Sequence, residues 1–303
     1  MQITEKNLTN DELKYIYNDF TSIEIALGIP QKERVRYSYA AKENGNVIAY
    51  ASGITNHKWF LLSDMWVQPS HRRRGIGTRL LHELENKIMS VGIEHVYTWM
   101  MNMVLDNEND YVWTIGYGNE FFYEKTGYRP YTVIENFFDV DGIHHVGYRK
   151  DLLPKQNNTT VGGNNRIQFT DNEITQDELD AIAEAKKRER QTVFLERIQT
   201  KYSYVAENNG EVIGYVAGFT NYKWFMLTDM WVSSKYRRRG LGSKLLLMLE
   251  EKAKLAGAQH VYTWTYGKDN AQYYENRGYT SFAVFEEYFE VDGIHNIGYR
   301  KDI

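Results

Sequence analysis

The order of apolar and polar residues along the chain occurs twice. Each copy begins with a short alternating run and a segment typical of a capped helix, in which Thr9 or Thr175 is followed three residues later by glutamate. Two alternating runs around an Asn-Gly pair then predict a β-hairpin, at 37–53 in the first copy and at 202–218 in the second. The pattern predicts two domains of one kind.

A strand, a basic glycine-rich turn and an amphipathic helix follow the hairpin. Residues 59–77 read WFLLSDMWVQPSHRRRGIG and residues 224–242 read WFMLTDMWVSSKYRRRGLG, with twelve of nineteen positions identical. After each turn, apolar residues recur at helical spacing, which predicts a helix with one face on the sheet. Backbone N–H groups at a helix start opened by glycine point at an anion. The sequence therefore predicts two phosphate sites.

The two copies differ in length, and a polar segment separates them. The first copy carries a 14-residue insertion between Trp99 and Tyr123. Residues 152–165 are rich in Asn, Gly and Thr, a composition typical of a linker. We therefore predict domain 1 at 1–151, a linker at 152–165 and domain 2 at 166–303.

Composition excludes several functions. The net charge of -4 gives no general attraction to nucleic acid or acidic lipid, so neither is expected as a partner. The absence of cysteine excludes disulfides and a thiolate nucleophile. No metal-ligand spacing occurs, and no apolar run approaches the roughly 18 residues of a membrane span. A cytoplasmic location without a membrane partner is the expectation.

Three linked motifs resemble the GNAT superfamily of acetyl-CoA-dependent N-acetyltransferases. They are a strand ending in apolar-x-Val, Arg-x-x-Gly-x-Gly opening a helix, and Tyr-Glu-x-x-Gly-Tyr after the next strand, and they occur twice over essentially the whole chain. The resemblance implies an α/β (α+β) fold of two tandem domains, each a mixed, mostly antiparallel sheet flanked by helices. It implies acetyl-CoA as cofactor and an amine of a small molecule or peptide as acceptor. The alternative is a regulatory or scaffolding protein that binds acyl-CoA with one or both halves silent.

The resemblance assigns the CoA site to the strand end and loop of each copy. In the first copy these residues are Trp66, Val67, Arg72, Arg73, Arg74, Gly75, Ile76, Gly77, Thr78 and Asn119. In the second they are Trp231, Val232, Arg237, Arg238, Arg239, Gly240, Leu241, Gly242, Ser243 and Asn270. Glycine suits the loop because a side chain would block phosphates from the N–H groups. A solvated basic helix start is the alternative for the arginines, and helix capping is the alternative for the asparagines.

The resemblance also assigns the proton transfers. Tyr123 and Tyr274 match the tyrosine that protonates the departing CoA thiolate, which a phenol with pKa near 10 can do; a packing role is the alternative. Asp64 and Asp229 are the candidate bases for the acceptor amine. We expect Asp64 to share a strand face with Leu62 and Trp66, so that burial raises its pKa. A carboxylate hydrogen-bonded within the structure is the alternative.

Other polar residues leave alternatives open. His144, His145 and His295 could act as the base, although histidine in a tight turn more often binds local backbone groups. The insertion contains Asp106, Glu108 and Asp110, which could attract a cationic acceptor or form a solvated loop. Two joined copies could replace a dimer, so a monomer or a homodimer is expected.

Overall fold

The computed structural model describes residues 1–103, 119–134, 137, 143–152, 167–171, 174–190 and 199–303. The strands of the first repeat are β1 (Gln2–Glu5), β2 (Arg36–Glu43), β3 (Asn46–Asn56), β4 (Trp59–Val67), β5 (His95–Met103), β6 (Arg129–Ile134) and β7 (Ile143–Asp151). Those of the second are β8 (Ile167–Thr170), β9 (Lys201–Asn208), β10 (Glu211–Asn221), β11 (Trp224–Val232), β12 (His260–Tyr266), β13 (Thr280–Phe285) and β14 (Asn296–Asp302). The α-helices are α1 (Asn10–Ala26), α2 (Ile76–Ser90), α3 (Asn119–Lys125), α4 (Gln176–Arg190), α5 (Leu241–Leu255) and α6 (Lys268–Glu275).

The strands form two seven-stranded sheets. One has the order β6-β7-β5-β4-β3-β2-β8, and the other has the order β13-β14-β12-β11-β10-β9-β1. Within the described residues, pairing is antiparallel except between β4 and β5 and between β11 and β12. The predicted fold class, two mixed and mostly antiparallel sheets flanked by helices, is confirmed.

Each sheet takes its outer strand from the other repeat. Strand β1 pairs with β9, and β8 pairs with β2. Helix α1 packs Ile16 against Tyr215 and Trp231, whereas α4 packs Ile182 against Tyr50 and Trp66. The strand and helix that open each repeat therefore belong to the sheet built mainly by the other repeat.

The exchange divides the chain into two compact units that differ from the sequence repeats. Unit 1 comprises Met1–Gln31, Asn136–Asp141 and Leu195–Ile303, and unit 2 comprises Lys32–Glu135 and Gly142–Phe194. The predicted boundaries (1–151, 152–165, 166–303) describe the repeats in sequence and do not coincide with these units. Both opening strands are only four residues long, so their sequences do not indicate which sheet edge each one joins. The predicted linker after Leu152 lies outside the described residues, as do Asp106, Glu108 and Asp110 of the insertion.

The helix after the basic turn is fixed to its sheet by apolar packing and one buried ionic group. Leu80 and Leu84 of α2 are fully buried in the core of unit 2. The carboxylate of Glu85, also buried, accepts from Lys150 at 2.8 Å and from the Tyr128 hydroxyl at 3.0 Å. Pairing is what makes a buried charge tolerable. The same arrangement in unit 1 consists of Glu250, Lys301 and Tyr279.

In the ranges that the structure describes, no helix has both the length and the apolar character needed to cross a bilayer.

Candidate functional site

The central parallel strands of each unit separate partway along their length. Strand β4 pairs with β5 only from Trp59 to Leu61, although β4 continues to Val67. Strand β11 pairs with β12 only from Trp224 to Met226 and continues to Val232. Beyond these pairs, one edge of β4 and of β11 has no partner in the described sheet. Backbone groups on such an edge can hydrogen-bond a ligand.

A β-bulge lies where β4 leaves β5. Ser52 of β3 pairs with Asp64 while Gly53 pairs with Leu62, so Ser63 is an extra residue on β4. The extra residue shifts the alternation of side chains. The same bulge occurs in β11 at Thr228.

The bulge corrects the predicted surroundings of the strand aspartate. Leu62 lies in the core beneath α2, whereas Trp66 packs on the opposite face, against Ile182 of α4. Asp64 therefore does not share a face with both Leu62 and Trp66, because that prediction assumed unbroken alternation. Its side chain is 43% exposed rather than enclosed by apolar groups.

The basic turn has the backbone of an anion site. Arg73 and Gly75 adopt left-handed conformations with φ of 59° and 77°, and Gly75 caps α2 without a side-chain hydrogen bond. The first N–H groups of a helix have no partner within the helix, so this cap leaves them to a ligand. Arg72 donates Nε to the carbonyl of Val67 at 2.8 Å, which ties the turn to the end of β4.

The second turn repeats this geometry. Arg238 and Gly240 have φ of 59° and 81°, and Gly240 caps α5 without a side-chain hydrogen bond. Arg237 donates Nε to Val232 at 2.8 Å. The loop residues predicted for both copies are thus placed together at a helix start beside the separated strand.

The two predicted acid tyrosines are buried beside the separated strands. The Tyr123 hydroxyl of α3 lies 4.0 Å from Met65 Sδ, and the Tyr274 hydroxyl of α6 lies 3.9 Å from Met230 Sδ. Burial raises the pKa of both phenols above the usual value for tyrosine. Both hydroxyls therefore stay protonated at neutral pH next to the part of β4 or β11 that has left its neighbour.

Of the two predicted asparagines, Asn270 is not the cap residue of its helix. Asn270 lies within the first turn of α6, whose cap is Gly267, and donates Nδ2 to the carbonyl of Tyr266 at 2.9 Å. Asn119 begins α3, and its side chain lies outside what the structure describes. The structure thus gives Asn270 a local backbone partner.

In unit 1 the strand aspartate is bordered by tyrosines. Asp229 accepts a hydrogen bond of 3.5 Å from Tyr17 of α1. Burial, with Asp229 as the next cause, raises the pKa of Tyr17 and raises that of Tyr215 to about 12. Two turns further along α1, Glu24 accepts from the Tyr266 hydroxyl at 3.2 Å. Helix α1 therefore contacts β11 and β12 on both sides of the gap.

In unit 2 the strand aspartate forms an ion pair with a lysine of the opening helix. Lys186 of α4 donates Nζ to Asp64, forming an ion pair in which the lysine side chain is only 18% exposed. Lys186 corresponds to Phe20 of α1, because Ile182 and Ile16 occupy matching positions in the two helices. The Asp64 carboxylate is therefore paired with a cation, whereas the Asp229 carboxylate accepts a hydrogen bond from a neutral hydroxyl.

A second difference lies at the strand tryptophans. Trp231 Nε1 donates to Asp19 at 2.7 Å, and the same carboxylate oxygen accepts from Arg237 at 3.1 Å. Within the residues that the structure describes, the buried Nε1 of Trp66 has no hydrogen-bond partner, and Ala185 stands where α1 has Asp19. In unit 1, the opening helix is thus tied to the basic turn by the ion pair between Asp19 and Arg237.

Sequence reasoning missed the polar residues that the opening helices contribute. These are Tyr17, Asp19, Glu24 and Lys186, to which the sequence pattern assigned no role. A comparison of α1 with α4 position by position would have shown the exchange of Phe20 for Lys186, but it would not have shown which strand each one faces.

The histidines have local roles where they are described. His295 Nδ1 accepts the backbone N–H of Glu287 at 3.2 Å, as expected for a turn histidine. The His145 ring lies 4.8 Å from that of Trp99. Among the residues that the structure describes, no group of three potential metal ligands lies together.

Comparison with known proteins identifies a family. The model of the acetyltransferase (GNAT) family matches residues 6–110 and again residues 171–279. A search of curated proteins gives no match.

Similar solved structures are acetyltransferases. One from Bacillus cereus ATCC 14579 is 21% identical and has a TM-score of 0.39, with 44% of this chain and 96% of that chain covered. A GNAT family acetyltransferase from Elizabethkingia anophelis with acetyl-CoA bound is 18% identical, with a TM-score of 0.31 over 34% of this chain and 76% of that chain.

Proposed function

Because the chain belongs to the acetyltransferase (GNAT) family and is thus an acyltransferase, we propose that it transfers acetyl from acetyl-CoA directly to a primary amine of a small molecule or peptide. One observation carries the proposal: in each unit, a glycine-capped helix start lies beside a parallel strand that has separated from its neighbour. These are the two features that an extended, diphosphate-bearing thioester requires.

The residues of the turn fit a diphosphate. Apart from the glycine itself and its chain neighbours, no atom of the described residues lies within 4 Å of where a Cβ of Gly75 or Gly240 would be, which leaves open space at the turn. Their left-handed φ values disfavour any other residue type. In this proposal the turn residues hold the diphosphate, and the unpaired edge of β4 or β11 holds the pantetheine arm. Bound acetyl-CoA supplies the activated acyl group.

Proton transfers fall to one tyrosine and one carboxylate in each unit. In unit 1, Tyr274 gives its proton to the leaving thiolate, for which a raised pKa keeps the phenol in the required form. Asp229, on the strand that lines the gap, takes a proton from the acceptor ammonium directly or through water. N–H groups on the strand edge are suited to stabilise the oxyanion. In unit 2, Tyr123 and Asp64 hold the corresponding positions.

An assay of thiol release tests the proposal. The full chain is mixed with acetyl-CoA, a panel of primary amines and a thiol reagent, and amine-dependent CoA release is expected. Changing both Gly75 and Gly240 to valine should weaken CoA binding, because a β-branched residue is strained at positive φ and its side chain covers the N–H groups. Tight CoA binding with no amine-dependent release would contradict the proposed reaction.

The alternative of CoA binding without turnover is favoured by one observation, and only for unit 2. Lys186 already forms an ion pair with Asp64, so the carboxylate that should take a proton from an acceptor is engaged.

A further inference from the structure

Lys186 gives unit 2 an ammonium group at the position where the proposed reaction needs an acceptor amine; the inference therefore rests on the proposed function. A lysine side chain beyond its Cα is an n-butylamine. Its Nζ pairs with Asp64, on the strand that separates from β5. The protein thus shows, in one of its own units, that this carboxylate position binds a primary alkylammonium ion.

The helix that carries Lys186 is fixed in place. One turn before it, Ile182 is 4% exposed and packs with Tyr50 and Trp66. Residues four apart share a helix face, so the packing that fixes Ile182 also directs Lys186 toward β4. At its first turn, α4 is tied to β2 by an ion pair of 2.6 Å between Glu178 and Lys42. The lysine side chain is 18% exposed, whereas that of Asp64 is 43% exposed, so the pair lies at the edge of the packed helix.

Unit 1 has the same carboxylate without the lysine. Phe20 takes the place of Lys186, and within the described part of the chain Asp229 forms no ion pair. Its polar contact is the Tyr17 hydroxyl, a neutral donor. Tyr17 is 51% exposed, so the contact lies at the surface of the unit, where an amine in solution can reach it.

We infer that the two units have different roles at this carboxylate: Asp229 binds the ammonium group of an external primary alkylamine, whereas Lys186 occupies Asp64 as an internal ligand and closes the acceptor position of unit 2. Unit 1 is then the unit that acetylates. Unit 2 binds acyl-CoA beside an acceptor position that is already filled.

The test removes the lysine from unit 2, adds a lysine to unit 1 in a separate variant, and uses n-butylamine as the probe. The amine is titrated into the CoA-loaded full chain, and backbone amide NMR shifts are followed at β4 and β11. Wild type should respond at β11 alone. Lys186→Met, which keeps the length of the side chain without its charge, should add a response at β4. Phe20→Lys should weaken the response at β11 by about 10- to 100-fold, as expected when a charged hydrogen bond must be displaced.

Phe20→Met is the matched control, because it removes the aromatic ring without adding a cation and should keep the response at β11. A response at β4 in wild type, no response at either strand, or an unchanged β4 in Lys186→Met would overturn the inference. Thiol release is measured on the same proteins. If amine binds β11 as expected but no CoA is released for any amine, the proposed reaction fails while the assignment of the two carboxylates stands.

Discussion

Units 1 and 2 agree on one side of the separated strands and differ on the other. On the side proposed to bind CoA, the left-handed arginine, the glycine cap and the buried tyrosine are the same in both, and the φ values of the arginine and the glycine agree within a few degrees. On the side proposed to bind the acceptor, α1 presents Tyr17 and Phe20 where α4 presents Ala183 and Lys186. The CoA side depends on backbone conformation, which few residues satisfy. The acceptor side depends on side chains of a helix, which can change without altering the fold.

The exchange of opening helices predicts the largest effect. Ile16→Ala should lower the free energy of unfolding of unit 1 by about 2–5 kcal/mol, because it leaves a cavity beside Tyr215 and Trp231. Hydrogen exchange should accelerate in β10 and not in β3. The matched change, Ile182→Ala, should accelerate exchange in β3 instead. Faster exchange in β3 for Ile16→Ala would show that α1 covers the sheet of its own repeat.

The next prediction concerns Tyr274 and Tyr123, the two tyrosines proposed to protonate the leaving thiolate. Tyr274→Phe should lower kcat by about 10²-fold or more, the usual contribution of a positioned acid, while CoA affinity is kept. Tyr123→Phe should leave kcat nearly unchanged, since the acceptor position of unit 2 is engaged by Lys186. Equal losses in the two variants would mean that both units contribute equally.

The pH dependence follows from the raised pKa of these phenols. An acid must be protonated to act, and a raised pKa keeps it protonated to higher pH than an ordinary tyrosine. The ionisation of Tyr274 should therefore cause no decline of kcat up to about pH 10. A decline near pH 9 that is absent from Tyr274→Phe would contradict this. The measurement is a pH profile of kcat for both proteins.

A smaller effect is expected from the tryptophan contacts. Asp19→Ala leaves the Nε1 of Trp231 buried without a partner and should cost about 1–3 kcal/mol in the stability of unit 1. Ala185→Asp should stabilise unit 2, because it offers Trp66 an acceptor. Chemical denaturation with hydrogen exchange resolved by unit measures both. If Ala185→Asp does not raise the stability of unit 2, then α4 does not lie over Trp66 in the way that α1 lies over Trp231.

The smallest effect concerns acceptors with two charges. Glu24 lies two turns from Tyr17 on α1, on the other side of the gap. If Asp229 binds one ammonium group, Glu24 is placed to attract a second, and 1,4-diaminobutane should have a lower KM than n-butylamine by about threefold to tenfold. Glu24→Gln should remove this preference with kcat unchanged for the monoamine. A preference that survives the substitution would assign the second charge elsewhere.

The sequence predicted the hairpins, the basic turns and the helices after them, because each depends on short-range patterns. The turn glycines could be recognised in the sequence, because a backbone with positive φ at a helix start favours glycine. The bulge at Ser63 could not be predicted, because the mostly apolar sequence of 59–67 fits a regular strand equally well. The error over Asp64 follows directly from it.

The pairing of Lys186 with Asp64 could not be predicted from the sequence either. In sequence, Lys186 is one of several charged residues on a polar helix, and its partner is 122 positions earlier. The pair exists only because α4 covers the sheet of the first repeat. Sequence patterns predict whether a segment is a strand or a helix. Both opening segments are a short strand followed by a helix, so the pattern does not show which sheet each one joins.

The exchange of opening elements has a consequence for synthesis of the chain. When the first repeat has left the ribosome, β1 and α1 have been made before the strands that they cover, and β2 still lacks its edge partner β8. Neither unit can be complete until the second repeat emerges. A stop codon between the repeats would therefore leave no finished unit.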